Sequence, residues 1–119
     1  MNIEIFYATR YGFTQNRAEE IHRGIGTDIS TLRELRGPSS PDPAEIIIIG
    51  FPIIMGRPPK EVITFLRNQQ EKLKQRKLFF FVSAGEENQI PGVLNKFIPR
   101  EITPAIIETA HVRFGYYLS

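Results

Sequence analysis

The segment Tyr7-Ala8-Thr9-Arg10-Tyr11-Gly12-Phe13-Thr14 sets two hydroxyls, a cation and a glycine between an apolar run (Ile3, Ile5, Phe6) and a helix-like stretch. A strand, a hydroxyl- and Gly-bearing turn and a helix, in that order, can seat a phosphate. Backbone N–H groups of the turn and the first helical turn converge on one spot, where the helix dipole favours an anion. Thr9 and Thr14 can add hydroxyl donors, and Gly12 lets the backbone approach closely. The turn has neither the G-x-x-x-x-G-K-[ST] spacing of a nucleoside-triphosphate loop nor the G-x-G-x-x-G spacing of a dinucleotide site. The phosphate belongs to something other than ATP or NAD.

The elements that must carry this turn fit one domain of 119 residues, with an ordinary 41% hydrophobic share. Four apolar runs read as strands: Ile3–Ala8, a weaker Asp28–Leu32, Glu45–Gly50 with four consecutive Ile, and Leu78–Ser83 with three consecutive Phe. Runs apolar at every position suit parallel strands buried on both faces. A fifth strand is expected at His111–Leu118. Helical spacing recurs at Thr14–Ile25, with Thr14 as its N-cap, at Pro59–Leu73 and at Gly92–Ile98. Thr103–Ile107 reads as a short helical or irregular piece. Arg33–Ala44, rich in Pro, Ser and Gly, reads as a loop crossover.

Alternating strands and helices predict an α/β fold, a doubly wound parallel five-stranded sheet, for which 2-1-3-4-5 is one of the common strand orders. Ligands of such sheets sit beyond the carboxyl ends of the strands. Three loops reach that edge: Thr9–Thr14, Phe51–Arg57 and Ala84–Ile90. All three bear glycine and mix polar with apolar residues. FMN is the leading candidate for the phosphate-bearing ligand.

These blocks resemble flavodoxin-domain proteins of the menaquinone-dependent protoporphyrinogen-dehydrogenase type. The first block is similar to that family's Y-A-S-K-Y-G-S-T turn. Gly50-Phe51-Pro52-Ile53-Ile54-Met55-Gly56-Arg57, followed by Lys60-Glu61-Val62 and Phe65-Leu66, is similar to its G-S-P-I-Y-Y-G-K…K-E-V-x-x-F-L block. Phe80-Phe81-Val82-Ser83 and Val112-Arg113-Phe114-Gly115 look like its fourth and fifth strands. The resemblance implies that Thr9, Arg10, Tyr11, Gly12, Phe13 and Thr14 hold the FMN phosphate. It places Pro52, Ile53, Ile54, Met55 and Gly56 against one face of the flavin ring, and Ser83, Ala84 and Gly85 on its other side. The implied activity is electron carriage or flavin-dependent dehydrogenation, with a redox partner protein or a small-molecule acceptor. A fold that has lost FMN and serves as an interaction module is the alternative.

Ile54 and Met55 stand where relatives usually carry an aromatic, and the chain stops at Ser119 where the family continues into a final helix. That leaves the fifth-strand face, from Val112, Phe114, Tyr116 or Tyr117, to be covered by a second copy, so a homo-oligomer is expected, with folding back of the Pro99–Ile107 segment as the alternative.

Other chemistries find no residues. The absence of Cys excludes disulfides, thiol catalysis and Cys-ligated centres. His22 and His111 lack matching carboxylate spacing, so no metal site is expected. Glu86 and Glu87 read as solvated charges at the site edge, and no Ser/His/Asp set is present, so no catalytic residue is assigned. A net charge of +2 gives no reason to expect nucleic acid. The basic cluster Lys72, Lys74, Arg76 and Lys77 reads as a solvated helix end. The longest apolar run, Ile46–Ile49, cannot span a membrane, and Met1-Asn2-Ile3-Glu4 shows no export signal, so a cytoplasmic protein is expected.

Overall fold

The run Ile46–Ile49 has no polar side to offer water, and it forms the middle of the sheet. In the computed structural model, which describes residues 2–113, five parallel strands stand in the order β2-β1-β3-β4-β5. The strands are β1 (Ile3–Tyr7), β2 (Ser30–Glu34), β3 (Ile46–Pro52), β4 (Lys77–Ala84) and β5 (Ile106–Arg113). The helices are α1 (Phe13–Ile25), α2 (Lys60–Asn68), α3 (Gln70–Leu73) and α4 (Ile90–Phe97), with 3₁₀ turns at Glu87–Gln89 and Arg100–Ala105.

Strand side chains alternate between two apolar layers. Ile47, Ile49 and Phe51 of β3 join Phe6, Leu78, Phe80 and Val82 under Val62, Phe65 and Leu66 of α2 and Ile90 of α4. Aromatic rings knit this larger layer: Phe6 tilts on Phe65 at 4.8 Å between centroids, and Phe51 meets Phe80 edge-on at 5.8 Å. The opposite layer is smaller, with Ile5, Tyr7, Ile48 and Phe81 packed beneath Ala18, Ile21 and Ile25 of α1.

Several boundaries differ from the sequence expectation. β5 begins at Ile106, five residues before the expected start, because the 3₁₀ turn Arg100–Ala105 buries Ile102 and delivers the chain directly to the edge of β4. The Pro59–Leu73 helix divides at Gln69 (φ −109°, ψ 18°) into α2 and α3. Gly12, in the left-handed region at φ 81°, caps α1 in place of Thr14, which lies inside the first turn and is buried. The side chains of Phe114, Tyr116 and Tyr117, expected on the fifth strand, lie outside the described residues. Among the described residues, no helix is long and apolar enough to cross a membrane.

Candidate cofactor site

The parallel order brings three loops together at the carboxyl edge of the sheet. Tyr7, Pro52 and Ala84 end β1, β3 and β4, so the β1–α1 turn, the residues after Pro52 and those after Ala84 share one rim. Two short bonds fix the rim's backbone: Ala8 N–H donates to the Gly50 carbonyl (3.0 Å), and Ile53 N–H donates to the Ser83 carbonyl (2.7 Å).

The β1–α1 turn is built by its own residues. Thr9 Oγ1 accepts the Gly12 N–H at 3.1 Å, and Gly12 O accepts the Asn16 N–H at 3.1 Å, which starts the helical ladder. No side-chain hydrogen bond caps the helix, and its first turn contains no acidic residue. The Thr9 hydroxyl takes the Gly12 N–H, and the first turn of this 13-residue helix brings no negative charge of its own. A Cβ placed on Gly12 would meet nothing within 4 Å, so the space over the turn is open. Tyr11 projects from it, 93% exposed.

The loop after β3 is a tight hairpin. Ile54 and Arg57 exchange backbone hydrogen bonds at 3.1 and 3.3 Å, and Met55 (φ 54°) and Gly56 (φ 78°) form the two-residue turn. Positive φ at both central positions is the type I′ arrangement. Met55 stands at the tip, 95% exposed, while Ile53 is buried in the larger apolar layer. Arg57 lies with its guanidinium 5.4 Å from the centre of the Phe97 ring, which braces the hairpin against the end of α4.

A groove of about 580 Å³ separates the turn from the hairpin, with Arg10, Tyr11, Pro52, Ile54, Arg57 and Lys60 in its lining. That size is ordinary for a small-molecule site. Behind it, Ser83 and Ala84 are buried at the end of β4, whereas Gly85 is exposed. The buried Ser83 Oγ has no hydrogen-bond partner in the structure, a polar atom left over at the floor of the rim. Beyond Gly85, Glu86 and Glu87 are exposed. Glu87 stands 3.9 Å from His111 Nδ1, and the other nitrogen of that ring is 3.3 Å from the Ala84 carbonyl.

Of the residues expected at the site, Arg10, Tyr11, Pro52 and Ile54 line this groove, whereas Thr9, Gly12, Phe13, Met55 and Gly56 belong to the turn and hairpin that flank it and Thr14 is buried in the first turn of α1. Ile53 and Ala84 lie beneath as packing. Arg10, which the resemblance sets among the phosphate contacts, is in an ion pair with Glu61. Sequence reasoning assigned no role to Glu61 or Phe97. The Lys60-Glu61-Val62 block was visible, but the pairing of Glu61 with a residue 51 positions earlier was not. His22 is structural, its Nδ1 2.7 Å from Ser30 Oγ. The basic cluster is locally partnered: Lys74 pairs with Glu71, Lys77 with Glu45, Lys72 with Ser40 Oγ, and Arg76 with the Ala44 carbonyl. Among the described residues, no group of His, Asp and Glu could hold a metal ion.

A parallel 2-1-3-4-5 sheet with an anion-ready turn after β1 defines the flavodoxin-like class. The chain belongs to the flavodoxin domain family, whose pattern it matches over residues 4–114. Solved structures share the fold. A flavoprotein from Lactobacillus acidophilus in complex with FMN is 16% identical, with a TM-score of 0.69 over 92% of each chain. A flavodoxin from the domain Archaea is 15% identical, with a TM-score of 0.67 over 95% of this chain and 85% of its own. A flavodiiron core from Synechocystis is 24% identical, with a TM-score of 0.70 over 96% of this chain and 30% of its own. No curated protein matches the sequence.

The residues fit FMN on three counts: a helix N-terminus without a side-chain cap behind an open left-handed glycine, a groove of suitable size, and an unpartnered buried hydroxyl, Ser83 Oγ, at the end of the neighbouring strand β4.

Proposed function

We propose that the chain binds FMN non-covalently and serves as a small electron carrier. The observation that carries this reading is the convergence of the α1 N-terminus and the groove beside the 54–57 hairpin at one edge of the sheet. When bound, the flavin supplies the reversible uptake of one or two electrons. The chain's own residues do the rest. Backbone N–H groups of the first turn of α1, with the Thr9 hydroxyl, bind the phosphate, and the dipole of α1 favours its charge. Pro52, Ile54, Met55 and Gly56 bound the ring on one side, and the end of β4 with Gly85 bounds the other. Ile54 and Met55 offer aliphatic and thioether surface in place of an aromatic platform.

The electron partner on this reading is a protein or a small-molecule acceptor meeting the exposed rim at Tyr11 and Met55. Self-association is also proposed. The smaller apolar layer reaches Phe81 and Val112 at the β4–β5 end, whereas α1 packs on β1, β2 and β3, and a second copy would cover the remainder.

Purified protein reconstituted with FMN and passed over a desalting column tests the reading. Retention of the yellow oxidised-flavin spectrum in equimolar ratio supports it. Colourless protein after saturation with FMN overturns it in favour of an interaction module on the same fold.

A further inference from the structure

Arg10 and Glu61 meet as a fork-to-fork pair: Nη2 donates to Oε1 at 2.8 Å and Nη1 donates to Oε2 at 2.9 Å. Both partners are anchored again by backbone. Arg10 Nη1 also donates to the Thr9 carbonyl at 3.0 Å. Glu61 lies in the first turn of α2, where the helix dipole favours its charge. The Thr9 side chain in turn accepts the Gly12 N–H at 3.1 Å. An unbroken run of bonds and chain therefore leads from Glu61 through Arg10 and Thr9 to the residue that caps α1. The same pair ties the β1–α1 turn to the start of α2, three residues beyond the 54–57 hairpin.

We propose that Glu61 is a positioning residue for the phosphate seat: through Arg10 it holds Thr9–Gly12 in the shape that presents the α1 N-terminus to the anion. This inference rests on the FMN reading above. The physical argument is preorganisation. A turn already held in its bound shape loses less conformational freedom when the anion arrives. A two-point guanidinium–carboxylate contact fixes orientation as well as distance, which a single point charge does not. Pairing also neutralises Glu61, which otherwise would set a bare carboxylate near the phosphate. Because Glu61 reaches the seat only through Arg10, its effect should depend on Arg10.

The experiment compares the full-length protein with Glu61→Gln, Arg10→Met and the double variant. FMN and riboflavin are titrated separately, and amide hydrogen exchange is followed at Gly12 and Thr14 without ligand. Glu61→Gln is expected to weaken FMN about tenfold and riboflavin less than about threefold, with faster exchange at Gly12. The double variant should bind FMN no worse than the weaker single variant, because the two residues act as one unit. Arg10→Lys, which keeps the charge but loses the fork, should also weaken FMN. Unchanged or tighter FMN binding by Glu61→Gln overturns the proposal, as do losses that simply add. If the wild-type protein binds no FMN, the functional reading fails. The exchange rates then decide, and equal Gly12 protection in wild type and Glu61→Gln overturns the clamp itself.

Discussion

The ring of Phe81 on β4 lies against the Cα of Gly50, its register partner on β3, and fills the space where a Cβ would stand. This explains a glycine in the middle of a buried strand, where a side chain would otherwise pack better. Gly50→Ala should push the ring off its site and strain the smaller apolar layer, at about 1–3 kcal/mol. Phe81→Leu should relieve part of that strain, so the double variant should lose less than the sum of the two single changes. Urea denaturation of the four proteins gives the coupling directly, and simple additivity would show that the ring can move aside freely.

Met55 adopts φ 54° while 95% exposed, so its side chain contributes little packing to offset a strained backbone. Asn tolerates the left-handed region better, and Gly better still. Met55→Asn is expected to raise stability by about 0.5–1 kcal/mol, and Met55→Val to lower it by a similar amount or more. Thermal or urea midpoints check the sign. Destabilisation by Met55→Asn would mean that the hairpin does not hold its type I′ form in solution.

Gly12 presents the opposite case from Gly50, since nothing stands within 4 Å of an added Cβ and only its φ of 81° resists substitution. Gly12→Val should cost about 1–3 kcal/mol of stability and shift the α1 N-terminus out of line. Gly12→Asn should cost less of both. If the functional reading holds, FMN affinity falls in the same order, Gly12, Asn, Val. Calorimetric titration of the three proteins reports that order, and equal affinities would place the anion elsewhere.

The Glu61 carboxyl is held below its ordinary value of 4.5, first by the hydrogen bonds from Arg10, while burial opposes the shift. A depressed carboxyl pKa contributes stability that is fully present above the unfolded value and is lost as pH falls through the folded value. The stability advantage of wild type over Glu61→Gln should therefore stay constant above about pH 5 and shrink steadily below 4.5. Urea midpoints of both proteins between about pH 7 and about pH 3 test this. An advantage that persists unchanged to the acid end would show that the pair does not titrate with the fold.

The parallel sheet was legible in the sequence because Ile46–Ile49 and Phe79–Phe81 are apolar on both faces, a pattern that requires helices above and below, while its strand order was expected from the flavodoxin-like motifs. Thr9–Thr14 and the Pro52–Gly56 loop were legible as neighbours for the same reason, since parallel strands send both to one edge. The start of β5 was not legible. Arg100–Ala105 contains Pro104 and carries a weak apolar pattern, and its one decisive residue, the buried Ile102, acts through tertiary packing. The cap of α1 was misread because Thr14 has the usual chemistry of an N-cap, whereas Gly12 supplies a conformation that propensity does not reveal. Arg10–Glu61 and Arg57–Phe97 join residues distant in sequence, and no local pattern announces such contacts.

The central claim is that the β1–α1 turn recognises a phosphate and the groove beside it a flavin. The most direct measurement is a parallel fluorescence titration of the protein with FMN and with riboflavin, which differ only in that phosphate. Several charge-assisted hydrogen bonds at roughly 1.5–3 kcal/mol each predict FMN binding tighter than riboflavin by at least about a hundredfold. Equal affinities, or no quenching by either flavin, would contradict the account.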